Sequence, residues 1–134
     1  MSMFSIFNVS GSAISAQSQR LNVVASNLAN VDAVAGPDGK AYKARQLMFQ
    51  AEPMGPESAT GVRVTNITES NAPGRRVHDP AHPSADAEGY VNHSNVNAVE
   101  EMVNMISASR SYQNNVEVMN TAKTLLLKTL QMGQ

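Results

Sequence analysis

The 134 residues carry ten Lys and Arg against eleven Asp and Glu, so no strong positive field invites nucleic acid or an anionic membrane. There is no cysteine, which excludes disulfides and thiolate chemistry, and no run approaches the ~18 apolar residues of a membrane span. A chain this short holds one small domain plus an elongated part, and much of its surface stays in water unless partners cover it.

The chain opens without a secretory pattern. Its first cation is Arg20, and Asn8, Ser10, Gly11 and Ser12 break the apolar stretch, so export with a cleaved signal is not expected. Phe7, Ile14, Leu21 and Leu28 fall seven apart, with Val24 and Val31 between them and Ser10 and Gln17 interrupting the second row. That spacing predicts a coiled-coil-like helix. From Asp32 the pattern stops, and turn chemistry follows at Gly36-Pro37-Asp38-Gly39 and again at Pro53, Gly55 and Pro56. Strands are expected at Tyr42–Phe49, at Val62–Ile67 and near Gly89-Tyr90-Val91. His78-Asp79-Pro80-Ala81-His82-Pro83 is held extended, because each proline disfavours the helical region for its predecessor. Glu57 is expected at the free surface of this insert.

The last element carries the most signals. Asn97 suits an N-cap with Glu100 three residues on, and no Pro or Gly intervenes before Gly133. About 33 residues at ~1.5 Å each predict a helix of about 50 Å. The fold class expected is mainly α with a small β-rich insert: antiparallel N- and C-terminal helices flanking a compact irregular β module. The helical assembly domain would comprise residues 1–31 plus 97–134, and the module residues 32–96.

Charge placement points to assembly. Residues 1–31 hold one charged side chain, residues 102–134 hold four, and the other sixteen lie between them. Away from the apolar stripes the helices present Ser12, Ser15, Ser18, Gln19, Asn22, Ser26, Asn104, Ser107, Gln113 and Asn114. Neutral polar side chains pack against other helices without the cost of burying a charge. The candidate contact residues are Ile14, Leu21, Val24, Asn27, Leu28 and Asn30 on the first helix. On the second they are Met102, Met105, Tyr112, Val116, Met119, Leu126 and Leu130. Neither helix can bury its stripe alone.

Chemistry finds little purchase. His78, Asp79 and His82, with Asp86 and His93 nearby, are the only metal-like cluster. Pro80 and Pro83 forbid the helix on which histidines four apart share an ion. No cofactor, metal or small-molecule substrate is expected. Nucleophile elbows and phosphate loops are absent, and Arg75-Arg76 is the only adjacent basic pair. The expectation is a non-enzyme.

Ala25-Ser26-Asn27-Leu28-Ala29-Asn30 resembles the signature of the flagellar axial proteins, which include rod, hook and hook-associated subunits. Several further stretches agree with that family: His78 to Asp86 leading into Gly89-Tyr90-Val91, then Asn95-Val96, Ser107-Ala108-Ser109-Arg110-Ser111-Tyr112-Gln113, and Lys123 to Leu130. The long turn after Val31 and the short middle resemble the proximal-rod branch. The resemblance implies terminal helices forming the inner layer of a tube, with the β module outside. It also implies partners among copies of the chain, other rod proteins and the junction protein of the export apparatus. Localisation would be the periplasm-spanning rod, reached by type III export. Another axial subunit, or a filamentous secretion component, is the alternative.

Overall fold

The computed structural model describes residues 2–56 and 58–133; Glu57 and the two terminal residues of the expected assembly domain lie outside them. Helix α1 spans Met3–Ala29. It starts where the Ser2 hydroxyl accepts the Ser5 amide at 3.2 Å, satisfying one of the free N–H groups of the first turn. It ends where Asn30 folds back and donates its side-chain amide to the Ser26 carbonyl at 2.8 Å. Helix α2 spans Ala98–Met132. Asn97 caps it as expected, its Oδ1 accepting the amides of Val99 and Glu100 at 3.1 and 3.2 Å, an arrangement worth about 1 kcal/mol.

Between the helices lie two small sheets. Strands β1 (Arg45–Pro53) and β2 (Thr60–Glu69) pair as a ribbon, closed at its turn by the Met54 amide on the Ala59 carbonyl at 2.8 Å. Strands β3 (Arg76–His78) and β4 (Tyr90–Asn92) pair antiparallel, with Arg76 opposite Asn92 and His78 opposite Tyr90. The expected strand at Tyr42 begins three residues later, because Tyr42 and the Ala44 amide are taken by side chains of Asn27 and Asn95. Strand β3 has no alternation to announce it; it forms because β4 offers its backbone.

The chain divides into two compact units. The first contains residues 1–21, 47–66 and 106–134. Here α1 lies against the ribbon: the Ser12 hydroxyl accepts the Val62 amide at 3.1 Å, and Ala16 and Ala59 are buried. Gly61 permits this approach, since a Cβ there would meet Met54 and the Ser12 Oγ at 2.6 and 2.7 Å. The second unit contains residues 22–46 and 67–105, and buries Val24, Ala35, Ala44 and Val91 together with Asn27, Ser94 and Glu101.

In the first unit Ile6, near the start of α1, lines one cleft with Val118, Ala122 and Leu125 of α2, while in the second Asn27, near the end of α1, meets Glu101 near the start of α2. The terminal helices therefore pack antiparallel, with the small β insert between them in sequence. On α2 the buried positions Glu101, Ala108 and Ala122 fall on one heptad row. This row stands one residue away from the stripe of large apolar side chains expected to face α1. Small side chains let the helices approach closely. Ser10 and Gln17, expected to interrupt the seam of α1, both turn inward: Ser10 is buried, and the Gln17 Oε1 is enclosed with no hydrogen-bond partner among the described residues.

Candidate assembly surface

The signature segment works first inside the chain. Asn27 is 0 % exposed. Its Nδ2 donates to the Arg45 carbonyl at 2.8 Å and to the Glu101 carboxylate at 3.1 Å. Its Oδ1 accepts from the Tyr42 hydroxyl at 2.9 Å and the Arg45 amide at 3.0 Å. Both donors and both lone pairs are used, which a side-chain amide rarely achieves when buried. The Tyr42 proton goes to Asn27, so Ser26 Oγ donates to the Tyr42 oxygen at 3.2 Å. One side chain thus ties α1, the entry to β1 and α2 together.

A second latch sits beside it. Asn95 Oδ1 accepts the Ala44 amide, and its Nδ2 donates to the carbonyls of Ser70 and Ala72 at 3.0 and 2.9 Å. Ser94 Oγ donates to the Val31 carbonyl at 2.7 Å. These two residues replace regular sheet pairing where the insert meets the helix ends.

The candidate contact residues separate into three groups. Val24 and Asn27 are enclosed by the chain itself, so their part is to hold this unit together. Ile14, Leu21, Leu28, Asn30, Met105, Val116, Met119 and Leu126 are half-buried. Met102, Tyr112 and Leu130 are exposed. Val99, Val103 and Ile106, which widen the apolar stripe at the start of α2, stand in solvent, Val99 70 % and Val103 60 % exposed, and so do Val118, Leu125 and Leu127. Val99, Met102 and Val103 fall on the side of the helix away from Glu101 and Ala108. Helix α2 is apolar on two sides, and a single stripe describes only one.

The small polar face of α1 is used in part within the chain. Ser12 bonds Val62 of the ribbon, Ser15 and Gln19 flank the same cleft, and Ser26 reaches Tyr42. Ser18 and Asn22 remain exposed.

The histidines hold loops. The His78 ring meets Tyr90 edge-on at 4.9 Å, His82 Nδ1 accepts the Ser84 amide at 3.0 Å, and His93 joins Val34 and Arg75 through its backbone. Among the described residues no three His, Asp or Glu side chains converge as a metal requires. Among the described residues no helix is long and apolar enough to cross a membrane.

Two family models match the chain: "Flagella basal body rod protein" over residues 7–37 and "Flagellar basal body rod FlgEFG protein C-terminal" over residues 87–132. These cover most of α1 with its turn, and β4 with α2. The chain is 58 % identical to the flagellar basal-body rod protein FlgC of Yersinia enterocolitica and 54 % identical to that of Salmonella typhimurium, over the whole of each. It is 46 % identical, again over full length, to the FlgC protein of Buchnera aphidicola from Schizaphis graminum. The hydrogen-bonding segment around Asn27, the capped α2 and the short insert between them lie within one unbroken match, and the chain belongs to the FlgC family of flagellar basal-body rod proteins.

Proposed function

We propose that this chain is a non-catalytic structural subunit of the flagellar basal-body rod, joined to its neighbours through the uncovered apolar face of α2. The observation that carries the reading is that face: Val99, Met102 and Val103 stand in solvent on a helix whose Glu101 already meets Asn27 of α1. Burying one such side chain fully is worth about 1.5–3 kcal/mol, so a few per copy outweigh much of the cost of association. Covered by neighbours, helices that carry so few charges meet a small charge penalty.

Family membership and the names of the relatives support the basal body as the location. In this reading the helical parts, residues 1–31 and 97–134, form the wall of the tube and the module of residues 32–96 lies outside. Ile14, Leu21, Leu28, Asn30, Met105, Tyr112, Val116, Met119 and Leu126 complete the contacts around the exposed set. Neighbours are further copies, other rod proteins and the junction protein at the base of the export apparatus. The subunit reaches the periplasm unprocessed, through type III export.

Val103→Glu and Leu130→Glu test this. Both side chains are already exposed, so each change should alter the stability of the isolated chain by no more than about 0.5 kcal/mol. In cells that rely on the variant, we expect exported but unincorporated subunit and lost motility. Wild-type motility with the variants present in basal bodies at normal level would remove α2 from the interface.

A further inference from the structure

The second unit contains a cleft of about 620 Å³ whose walls include Lys40, Lys43 and Arg45, facing Glu69, His93 and Asn95. Of these three, only Arg45 has a carboxylate within reach among the described residues, Glu69 at 4.0 Å. Lys43 has the Asn71 oxygen at 3.4 Å, and the Lys40 ammonium meets no carboxylate among the described residues. His93, which lines the cleft, has its Nδ1 buried with no hydrogen-bond partner among those residues. The cleft therefore holds positive charge in excess, and an unmet polar atom beside it.

The opposite charge sits at the other end of the same hairpin. His93 and Arg75 flank the Arg76–Asn92 end of the β3–β4 pair, while the loop of residues 79–89 joins its His78–Tyr90 end. That loop carries Asp79, Asp86 and Glu88 against one cation, Arg76. Asp86 is committed to the loop itself, accepting the amides of Glu88 and Tyr90 at 3.0 and 2.9 Å. Asp79 is exposed and has no cation within ion-pair distance among the described residues, and Glu88 is exposed beside it. Gly89, at φ +84°, closes the loop in a conformation that side chains resist.

We propose that the Lys40–Lys43–Arg45 cleft of one copy receives the Asp79–Glu88 loop of a second copy. The inference rests on the rod-subunit reading above and names a contact for the insert, beyond the helices. Charge complementarity selects the occupant, because each copy carries both the excess that the other lacks and the lack that the other fills. The two patches lie at opposite ends of one hairpin, so a copy whose cleft is filled still offers its own loop to another, and the contact extends from copy to copy in a ring or a helix. Exposed ion pairs contribute little to affinity. Their part is to exclude wrong registers and set which neighbour is met, while the apolar helices supply the binding.

The natural chain has no cysteine, which makes the contact directly readable. A chain with Lys43→Cys and Asp79→Cys is produced in cells lacking the natural subunit, basal bodies are isolated, and a short bismaleimide is added. We expect a ladder of covalently joined copies, and only monomer from either single variant. Variant present in basal bodies without a ladder overturns this contact and leaves the rod reading intact. Absence of the natural chain from basal bodies isolated in parallel from the unmodified strain would instead sink the rod reading. Charge exchange gives a second measure: Lys43→Glu should reduce swimming, and Lys43→Glu with Asp79→Lys should recover most of it. Failure of the pair to recover, where Asp79→Lys alone is as impaired, counts against the pairing as well.

Discussion

A side-chain amide buried with all four of its hydrogen-bonding positions filled leaves little room for substitution, and Asn27 is in that position. Asn27→Ala would strand the Glu101 carboxylate, the Tyr42 hydroxyl and the Arg45 backbone groups together. Each buried group left unpaired costs roughly 1–3 kcal/mol, so we expect a loss on the order of 3 kcal/mol once some find water. Urea unfolding of the isolated chain would measure it as a lower midpoint at unchanged slope. Asn27→Asp should be worse near neutrality than in mild acid, because it sets a second carboxylate against Glu101. A loss under about 0.5 kcal/mol for the alanine variant would mean these bonds are ornamental. The signature containing Asn27 was legible as a motif, but its work was not. Glu100 and Glu101 both suit a helix N-terminus, and nothing in their order tells which one turns inward.

Among the elements, the two helices were legible because capping and spacing agree along their whole length. The phase of α2 was not. Its buried row runs through Glu101, Ala108 and Ala122, residues that no hydrophobic stripe would select, since close approach of helices favours small side chains over large ones. Strand β3 escaped for a related reason. Three exposed residues form it, and pairing with β4 decides it where local preference does not. The loop between those strands depends on Asp86. The Tyr90 amide, then the Glu88 amide and the nearby Arg76 guanidinium, hold its carboxyl below the usual carboxylate range, against the opposing effect of burial. A carboxyl lowered on folding stabilises the loop at pH above its unfolded value of about 4, and the benefit is lost as pH falls through the lowered one. The amide resonances of Glu88 and Tyr90 should therefore move with a midpoint below that of an unperturbed aspartate, about 4. Movement centred near pH 4, with the same profile in Asp86→Asn, would contradict that assignment.

At the scale of the whole molecule, two features stand together: charge gathered between Asp32 and Glu101, and large apolar side chains left in solvent on a capped 35-residue helix. A monomer gains nothing from the second, since exposed Val, Leu and Met side chains on α2 return no free energy until something covers them. Sparsely charged helices with apolar stripes are legible in the sequence as elements that ask for neighbours. Which of their side chains the chain itself encloses was not legible: Val24 and Asn27 are buried within it, while Val99 and Val103 stand in solvent. The absence of natural cysteine allows one measurement to decide whether that face is the one covered. Val103→Cys would be treated with a maleimide as isolated chain, in intact purified basal bodies, and again after the same basal bodies are dissociated. We predict rapid labelling of the isolated chain, strong protection in the intact basal body and restored labelling on dissociation. Equal labelling in all three states, with the chain present in the basal bodies, would show that the outward face of α2 meets no neighbour.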